Sequence, residues 1–232
     1  FLVVIQLGAI LAVAVMYFHK LNPFSPAKSS RQKQATWALW IKIVIACVPA
    51  AVFGLLLDDW MEAHLYNAYV VAATLIIYGV LFIVLENSSI TANPSITKVG
   101  HISAKTALFI GLFQLLSLIP GTSRSGSTIL GAMVLGCSRG AAAEFSFFLG
   151  IPVMFGASFL KLVKFFIKGN ALTGPQIFYT ILGMLVAFGV SVYSIQFLMG
   201  YVRRHDFKFF GYYRIILGIV VLAYFGITAL AS

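Results

Sequence analysis

The chain has 232 residues, 61% hydrophobic and 9% charged, with a mean hydropathy of +0.99. Soluble domains carry about 25% charged residues, so this composition excludes a soluble globular protein and defines an integral membrane protein. The formal net charge is +10, but no basic stripe interleaves with a soluble fold. That argues against a nucleic-acid partner and for cytoplasmic loops facing anionic lipid.

A membrane-spanning helix needs about 20 mostly apolar residues. The chain opens on such a stretch, "FLVVIQLGAILAVAVMYF", Phe1–Phe18. It starts on Phe and lacks the basic flank and cleavage site of a signal peptide, so a longer N-terminus is expected upstream. "NPFSPAKSSRQKQ" reads as a flexible polar connector. Further spans are expected at Trp37–Leu57, which contains Pro49, and at Tyr66–Leu85. Two shorter apolar pieces follow, Ala104–Ile119, stopped by Pro120, and Ser127–Gly136. Neither is long enough to span alone. Spans resume at Ala141–Val163, with Pro152 inside, Gln176–Met199 and Phe209–Leu230. The sequence predicts an all-α polytopic membrane protein with about six transmembrane helices and one re-entrant helix–loop–helix over residues 104–136. Cys47 and Cys137 lie far apart in apolar runs, with neither a disulfide framework nor a zinc spacing.

Loop charges give an orientation. Lys20, Lys28, Arg31 and Lys33 lie in one loop and Arg203, Arg204 and Lys208 in another, while Asp58, Asp59 and Glu62 sit in a loop without bases. The positive-inside rule puts the basic loops in the cytoplasm and the acidic one outside, against the tendency of Lys164 and Lys168. Leu7-Gly8 and Leu149-Gly150 occupy similar places in similar helices. This suggests an inverted repeat within a single membrane domain, 1–232. Residues 1–86 would be the remainder of the first repeat and 104–232 the second, with the first re-entrant pair missing from this sequence.

The polar stretch Gly121-Thr122-Ser123-Arg124-Ser125-Gly126-Ser127-Thr128 stands out in this apolar setting. An arginine at membrane depth costs roughly 2.5–3.5 kcal/mol or more. Irregular backbone at that depth is tolerated only inside protein or along a water-filled cavity. Gly121 and Gly126 let the backbone approach a ligand, and the following helix offers free N–H groups and positive potential. Guanidinium, hydroxyls and free amides together suit a phosphate or diphosphate. The alternative is that Arg124 pairs with a helix-end carbonyl or a lipid phosphate and the hydroxyls merely cap the helix.

Four other residues are candidates. Glu144 lies well inside a predicted span; it either serves the site or is a surface residue in the first turn of its helix. Gln6 and Gln114 either line the cavity or join neighbouring helices. Arg214 either reaches the site or snorkels to the headgroups. Tyr213 reads as an interface anchor. His19, His64, His101 and His205 fall in loops and form no ligand spacing.

"PGTSRSG" at Pro120–Gly126 and "AAAEFSF" at Ala141–Phe147, with "VVIQLGAILAV" at Val3–Val13 and "YYRIILG" at Tyr212–Gly218, resemble the undecaprenyl-diphosphatase family, the bacitracin-resistance phosphatases of bacteria. The resemblance covers essentially the whole chain. It implies hydrolysis of undecaprenyl diphosphate to undecaprenyl phosphate and inorganic phosphate, recycling the lipid carrier of peptidoglycan synthesis. It also implies a divalent cation, Mg²⁺ or Ca²⁺, a bacterial plasma-membrane location and a site open to the outer face. On that reading Arg124 and Ser123 are catalytic, and Gly121, Thr122, Ser125, Gly126, Thr128, Gln6, Glu144 and Arg214 bind the polyprenyl diphosphate. The family's second motif, E-G-x-T-E-F-L-P-[IV]-S-S-T-G-H, is absent here, and Gln114 stands roughly where a glutamate belongs. The metal ligands are therefore unassigned, and the 232-residue chain alone is expected to have little or no activity. A homo-oligomer stays open. A transporter or flippase for a lipid phosphate or other anion is the rival reading.

Overall fold

The computed structural model describes residues 2–167, 173–202 and 204–231; Phe1, Lys168 and Arg203 lie outside the described residues. The described chain forms helices α1 (Leu2–Met16), α2 (Phe18–Leu21), α3 (Ser30–Leu65), α4 (Ala68–Glu86), α5 (Ala104–Leu115), α6 (Arg124–Val134), α7 (Arg139–Ile167), α8 (Gly174–Val202) and α9 (Lys208–Ala231). Short 3₁₀ turns occupy Val99–His101 and Leu116–Leu118. Five of these helices, α3, α4, α7, α8 and α9, are long and apolar enough to cross a membrane. This is the polytopic all-α fold that the apolar stretches predict, because in lipid a chain must satisfy its backbone polar groups within its own helices.

Three details differ from the sequence reading. The first stretch forms α1, which ends at Met16, and the short α2 follows at Phe18–Leu21. The connector before α3 is pinned: Lys28 Nζ donates to the carbonyls of Lys20 (3.1 Å) and Asn22 (2.9 Å) and to Thr36 Oγ1 (2.9 Å). Trp40 Nε1 donates to the Leu21 carbonyl at 2.8 Å. Finally, α6 starts at Arg124, three residues before the expected Ser127, because Ser123 caps it.

The chain divides into two compact units, Phe1–Val44 with Phe147–Tyr201, and Ile45–Ser146 with Val202–Ser232. Each unit joins two segments that are separated in the chain. In the first unit, α1 lies so close to α8 that a Cβ on Gly8 would come within 2.3 Å of the Met184 carbonyl oxygen. Tyr17 packs edge-on against Phe148, with centroids 5.0 Å apart.

In the second unit, α4 and α9 meet along a seam of small residues. A Cβ on Gly79 would stand 2.7 Å from the Gly211 carbonyl oxygen, and one on Gly218 would stand 2.9 Å from that of Ala72. Such seams let membrane helices gain close van der Waals packing where no hydrophobic drive exists between them. Helices α5 and α6 form a hairpin that leaves and returns at one end of this unit. Ile96 N–H donates to the Gly136 carbonyl (3.0 Å) and Ser138 N–H to that of Ile96 (2.8 Å), joining the chain before α5 to the chain after α6. At the same end, Arg139 at the start of α7 donates from Nε to both oxygens of Glu86 (2.9 and 3.0 Å) and from Nη2 to Oε2. Glu86 Oε1 also accepts from Phe207 N–H at 2.9 Å. The hairpin is thus re-entrant, as its two short apolar pieces and Pro120 predict.

Candidate anion site at the re-entrant turn

The turn between α5 and α6 is built by glycine and proline chemistry. Pro120 cannot extend the 3₁₀ turn before it, and its carbonyl accepts from Thr74 Oγ1 of α4 at 2.8 Å. Gly121 has φ +85°, and a Cβ there would sit 2.2 Å from Thr74 Oγ1 and 2.6 Å from the Val71 carbonyl oxygen. Both its conformation and its contact with α4 therefore demand glycine. Thr74 lies about 9 Å along α4 from Ala68 and about 18 Å from Glu86, so the turn sits about two-thirds of the way along that helix from the Glu86 end, where the hairpin enters.

Ser123 follows with φ +44°, the one positive φ outside glycine among the described residues. Such a conformation costs of order 1–3 kcal/mol and is held by its surroundings. Here it aims the Ser123 hydroxyl at the start of α6, where Oγ accepts from Gly126 N–H at 3.3 Å and lies 3.3 Å from Ser125 Oγ. Ser123 remains exposed, and α6 points its N-terminus, the positive end of its dipole, at the same spot.

Two arginines belong to this region. Arg124 is the first residue of α6, and its Nη1 is buried without a partner among the described residues. Arg214 arrives from α9. Its Nη2 donates to the Gly121 carbonyl at 2.7 Å, its Nη1 lies 3.7 Å from a Cβ built on Gly126, and its Nε is buried and unpartnered. The group sits 5.7 Å from the centroid of the Tyr78 ring, whose hydroxyl accepts from Ser127 Oγ at 3.4 Å. Among the described residues no carboxylate pairs with either arginine. Thr122 Oγ1 and both carboxamide atoms of Gln114 are also buried and unpartnered. Buried orphan donors and acceptors each cost about 1–3 kcal/mol, so this concentration marks a place built to receive something polar.

Gly121, Thr122, Ser123, Arg124, Ser125, Gly126 and Arg214 therefore gather around one turn. Thr128 faces elsewhere: its hydroxyl meets Ser146 Oγ of α7 at 2.7 Å and donates to carbonyls of its own helix, so it clamps α6 to α7. Glu144 is buried in the second turn of α7, which removes the exposed first-turn alternative. Gln6 lies on α1 in the first unit and is exposed. Tyr213 is exposed. Sequence reasoning missed Thr74, Tyr78, Ser146 and the Glu86–Arg139 pair. A tyrosine and a threonine in an apolar helix signal only weakly, and the pair joins residues far apart in the chain.

The donor set does not fit a divalent cation by itself. A hard cation needs several oxygen ligands, chiefly carboxylates, and this cluster holds hydroxyls beside two positive guanidiniums. Among the described residues no three His, Cys, Asp or Glu gather where they would hold a metal.

The fold defines a polytopic helical membrane protein with a polar turn between its two short central helices. The chain belongs to the family described as bacitracin resistance protein BacA, whose profile matches residues 1–220. It is 59% identical over 224 residues to an undecaprenyl-diphosphatase of Streptococcus thermophilus, covering 97% of this chain and 78% of that protein. It is 58% identical over 218 residues to one of Leuconostoc citreum, covering 94% and 77%. Identity to one of Enterococcus faecalis is 54% over 224 residues, covering 97% and 81%.

Proposed function

We propose that this chain removes the terminal phosphate of undecaprenyl diphosphate, the activity its relatives are named for, giving undecaprenyl phosphate and inorganic phosphate. The observation that carries this reading is the capped N-terminus of α6 with Arg214 beside it, together with the buried, unpartnered Nη1 of Arg124 that begins the helix, neither arginine being paired with a carboxylate among the described residues. Arginines without a carboxylate at this depth are costly until an anion neutralises them. Phosphoryl transfer depends mainly on positioning and on stabilising the charge of the transferring group. Arg124, Ser123, Ser125 and the free N–H groups of α6 supply both. Cleavage regenerates the carrier lipid for peptidoglycan synthesis and counters bacitracin.

The membrane is the bacterial plasma membrane, with the site reached from the outer face. The acidic segment at the end of α3, outside by the charge rule, adjoins the end of α4 nearer the turn. The described cluster holds no carboxylate or imidazole to move a proton, so turnover by the 232-residue chain alone is expected to be small. The assay varies both Mg²⁺ and Ca²⁺.

The test is phosphate release from undecaprenyl diphosphate in detergent, with Mg²⁺, Ca²⁺ or chelator. It compares this chain, a form extended to the length of its relatives, and that form carrying Arg124→Ala. Release by the extended form, lost in the variant, supports the reading. Tight binding without release by the extended form overturns it in favour of a lipid-phosphate transporter.

A further inference from the structure

We infer that Tyr78 is a positioning residue of the re-entrant site: its ring face seats the Arg214 guanidinium, and its hydroxyl, through Ser127, holds the backbone of Ser123. This deepens the reading that the turn binds a polyprenyl diphosphate and rests on it.

Tyr78 is buried near the middle of α4. It follows Thr74 by four residues, so both project from one face of that helix. Thr74 Oγ1 donates to the Pro120 carbonyl at 2.8 Å, and Tyr78 meets the same hairpin further on, at Ser127. One face of α4 thus holds the turn at two levels. The next residue, Gly79, is where α4 admits α9: an added Cβ would stand 2.6 Å from Ile215 Cγ1 and 2.7 Å from the Gly211 carbonyl oxygen. That close approach carries Arg214, the neighbour of Ile215, over the Tyr78 ring, with Cζ 5.7 Å from the ring centroid.

The ring supplies what the hydrogen bonds leave open. Among the described residues Arg214 makes one hydrogen bond, from Nη2 to the Gly121 carbonyl at 2.7 Å, and its Nε is buried without a partner. A guanidinium held by one bond can pivot about the bonded nitrogen. An aromatic face beside it removes that freedom, and the attraction of a cation for such a face is strongest where water is excluded. Arg214 is thereby kept at the start of α6, where its Nη1 stands 3.7 Å from a Cβ built on Gly126.

The hydroxyl acts on the other side of the turn. Ser127 Oγ donates to the Tyr78 hydroxyl at 3.4 Å and to the Ser123 carbonyl at 3.2 Å, and Ser127 N–H donates to the same carbonyl at 3.0 Å. The Ser123 φ of +44° persists only while its surroundings hold it. Ser127 supplies two of those holds, and Tyr78 fixes the rotamer of the Ser127 hydroxyl. A buried tyrosine needs a partner for its hydroxyl wherever it packs. Tyr78 takes that partner from α6 and presents its ring to a cation from α9, so one side chain sets the start of α6 and Arg214 relative to each other. Its action passes through Arg214 and Ser123.

Equilibrium affinity for undecaprenyl diphosphate, measured in nanodiscs on the 232-residue chain, tests this, because an affinity does not change with the fraction of molecules folded. Tyr78→Leu removes ring and hydroxyl and should weaken binding about tenfold; Tyr78→Phe keeps the ring and should weaken it about threefold. The effects should be coupled to the residues they act through. In an Arg214→Gln background Tyr78→Leu should cost no more than about threefold, and in a Ser127→Ala background Tyr78→Phe should cost nothing measurable. A tyrosine that only packs would lower the unfolding midpoint and leave the affinities and their coupling unmoved. Where Tyr78→Leu is unfolded at the assay temperature, the cycle of Tyr78→Phe with Ser127→Ala carries the comparison. Tyr78→Leu within about twofold of wild type, or effects that simply multiply in either background, overturn the inference and leave the binding reading intact. Failure of the wild type to bind the diphosphate overturns both.

Discussion

Glu86 and Arg139 offer the sharpest test of how the second unit is held together. The Glu86 side chain is wholly buried, and that of Arg139 is 34% exposed. The asymmetry sets unequal costs for removing each partner. Arg139→Met leaves a buried carboxylate whose remaining partner is Phe207 N–H at 2.9 Å; stranding a buried charge this way costs about 3–5 kcal/mol. Glu86→Gln leaves an arginine that can turn toward water, and the new amide oxygen still accepts from Phe207, so the loss is about 1–2 kcal/mol. The double variant buries no charge and should be more stable than Arg139→Met alone. A coupling energy of about 2 kcal/mol is expected, within the range of contacting residues. Unfolding in detergent micelles titrated with SDS and followed by far-UV circular dichroism measures all four corners of the cycle. If Arg139→Met lies within about 1 kcal/mol of wild type, or the two changes simply add, the pair does not lock α4 to α7 and the reasoning fails.

Gly121→Ala should destabilise by about 2–5 kcal/mol, combining about 1–2 for the left-handed conformation with about 1–3 for overpacking against Thr74 and Val71; adding Thr74→Ala should restore only part, read by the same unfolding assay. Ser123→Ala removes the α6 cap and should cost about 1 kcal/mol while lowering diphosphate affinity, whereas unchanged affinity would separate the cap from the ligand. Thr128→Val strands the Ser146 hydroxyl at a cost of about 1–3 kcal/mol and should leave diphosphate affinity within about twofold of wild type, measured by equilibrium binding.

The spans were legible because lipid imposes a length and an apolar composition on any helix that crosses it, and these stretches meet both. The re-entrant pair was legible for the opposite reason: Ala104–Ile119 and Ser127–Gly136 fail the length test, and Pro120 and Gly121 stand between them. The start of α6 was misplaced because Ser123 caps from a backbone conformation rare outside glycine, which residue type does not announce. Arg214 was ambiguous on sequence, since an arginine one turn and a half into a span can snorkel or turn inward; the approach of α9 to α4 through Gly79 and Gly211 decides it. The role of Thr128 was not legible, because its partner Ser146 lies on the next helix. Glu86 read as a residue at the end of a span because its partners, Arg139 and Phe207, are distant in sequence and meet it only after folding.

The most direct test of the central claim is to locate the bound diphosphate. A photoactivatable analogue of undecaprenyl diphosphate, with the reactive group next to the prenyl-bearing phosphoryl, would be cross-linked to the chain in nanodiscs and the labelled peptides sequenced. The account predicts labelling within Pro120–Thr128 and around Arg214, suppressed by inorganic pyrophosphate and lost in Arg124→Met. Labelling confined to other helices, or insensitive to pyrophosphate, would contradict it.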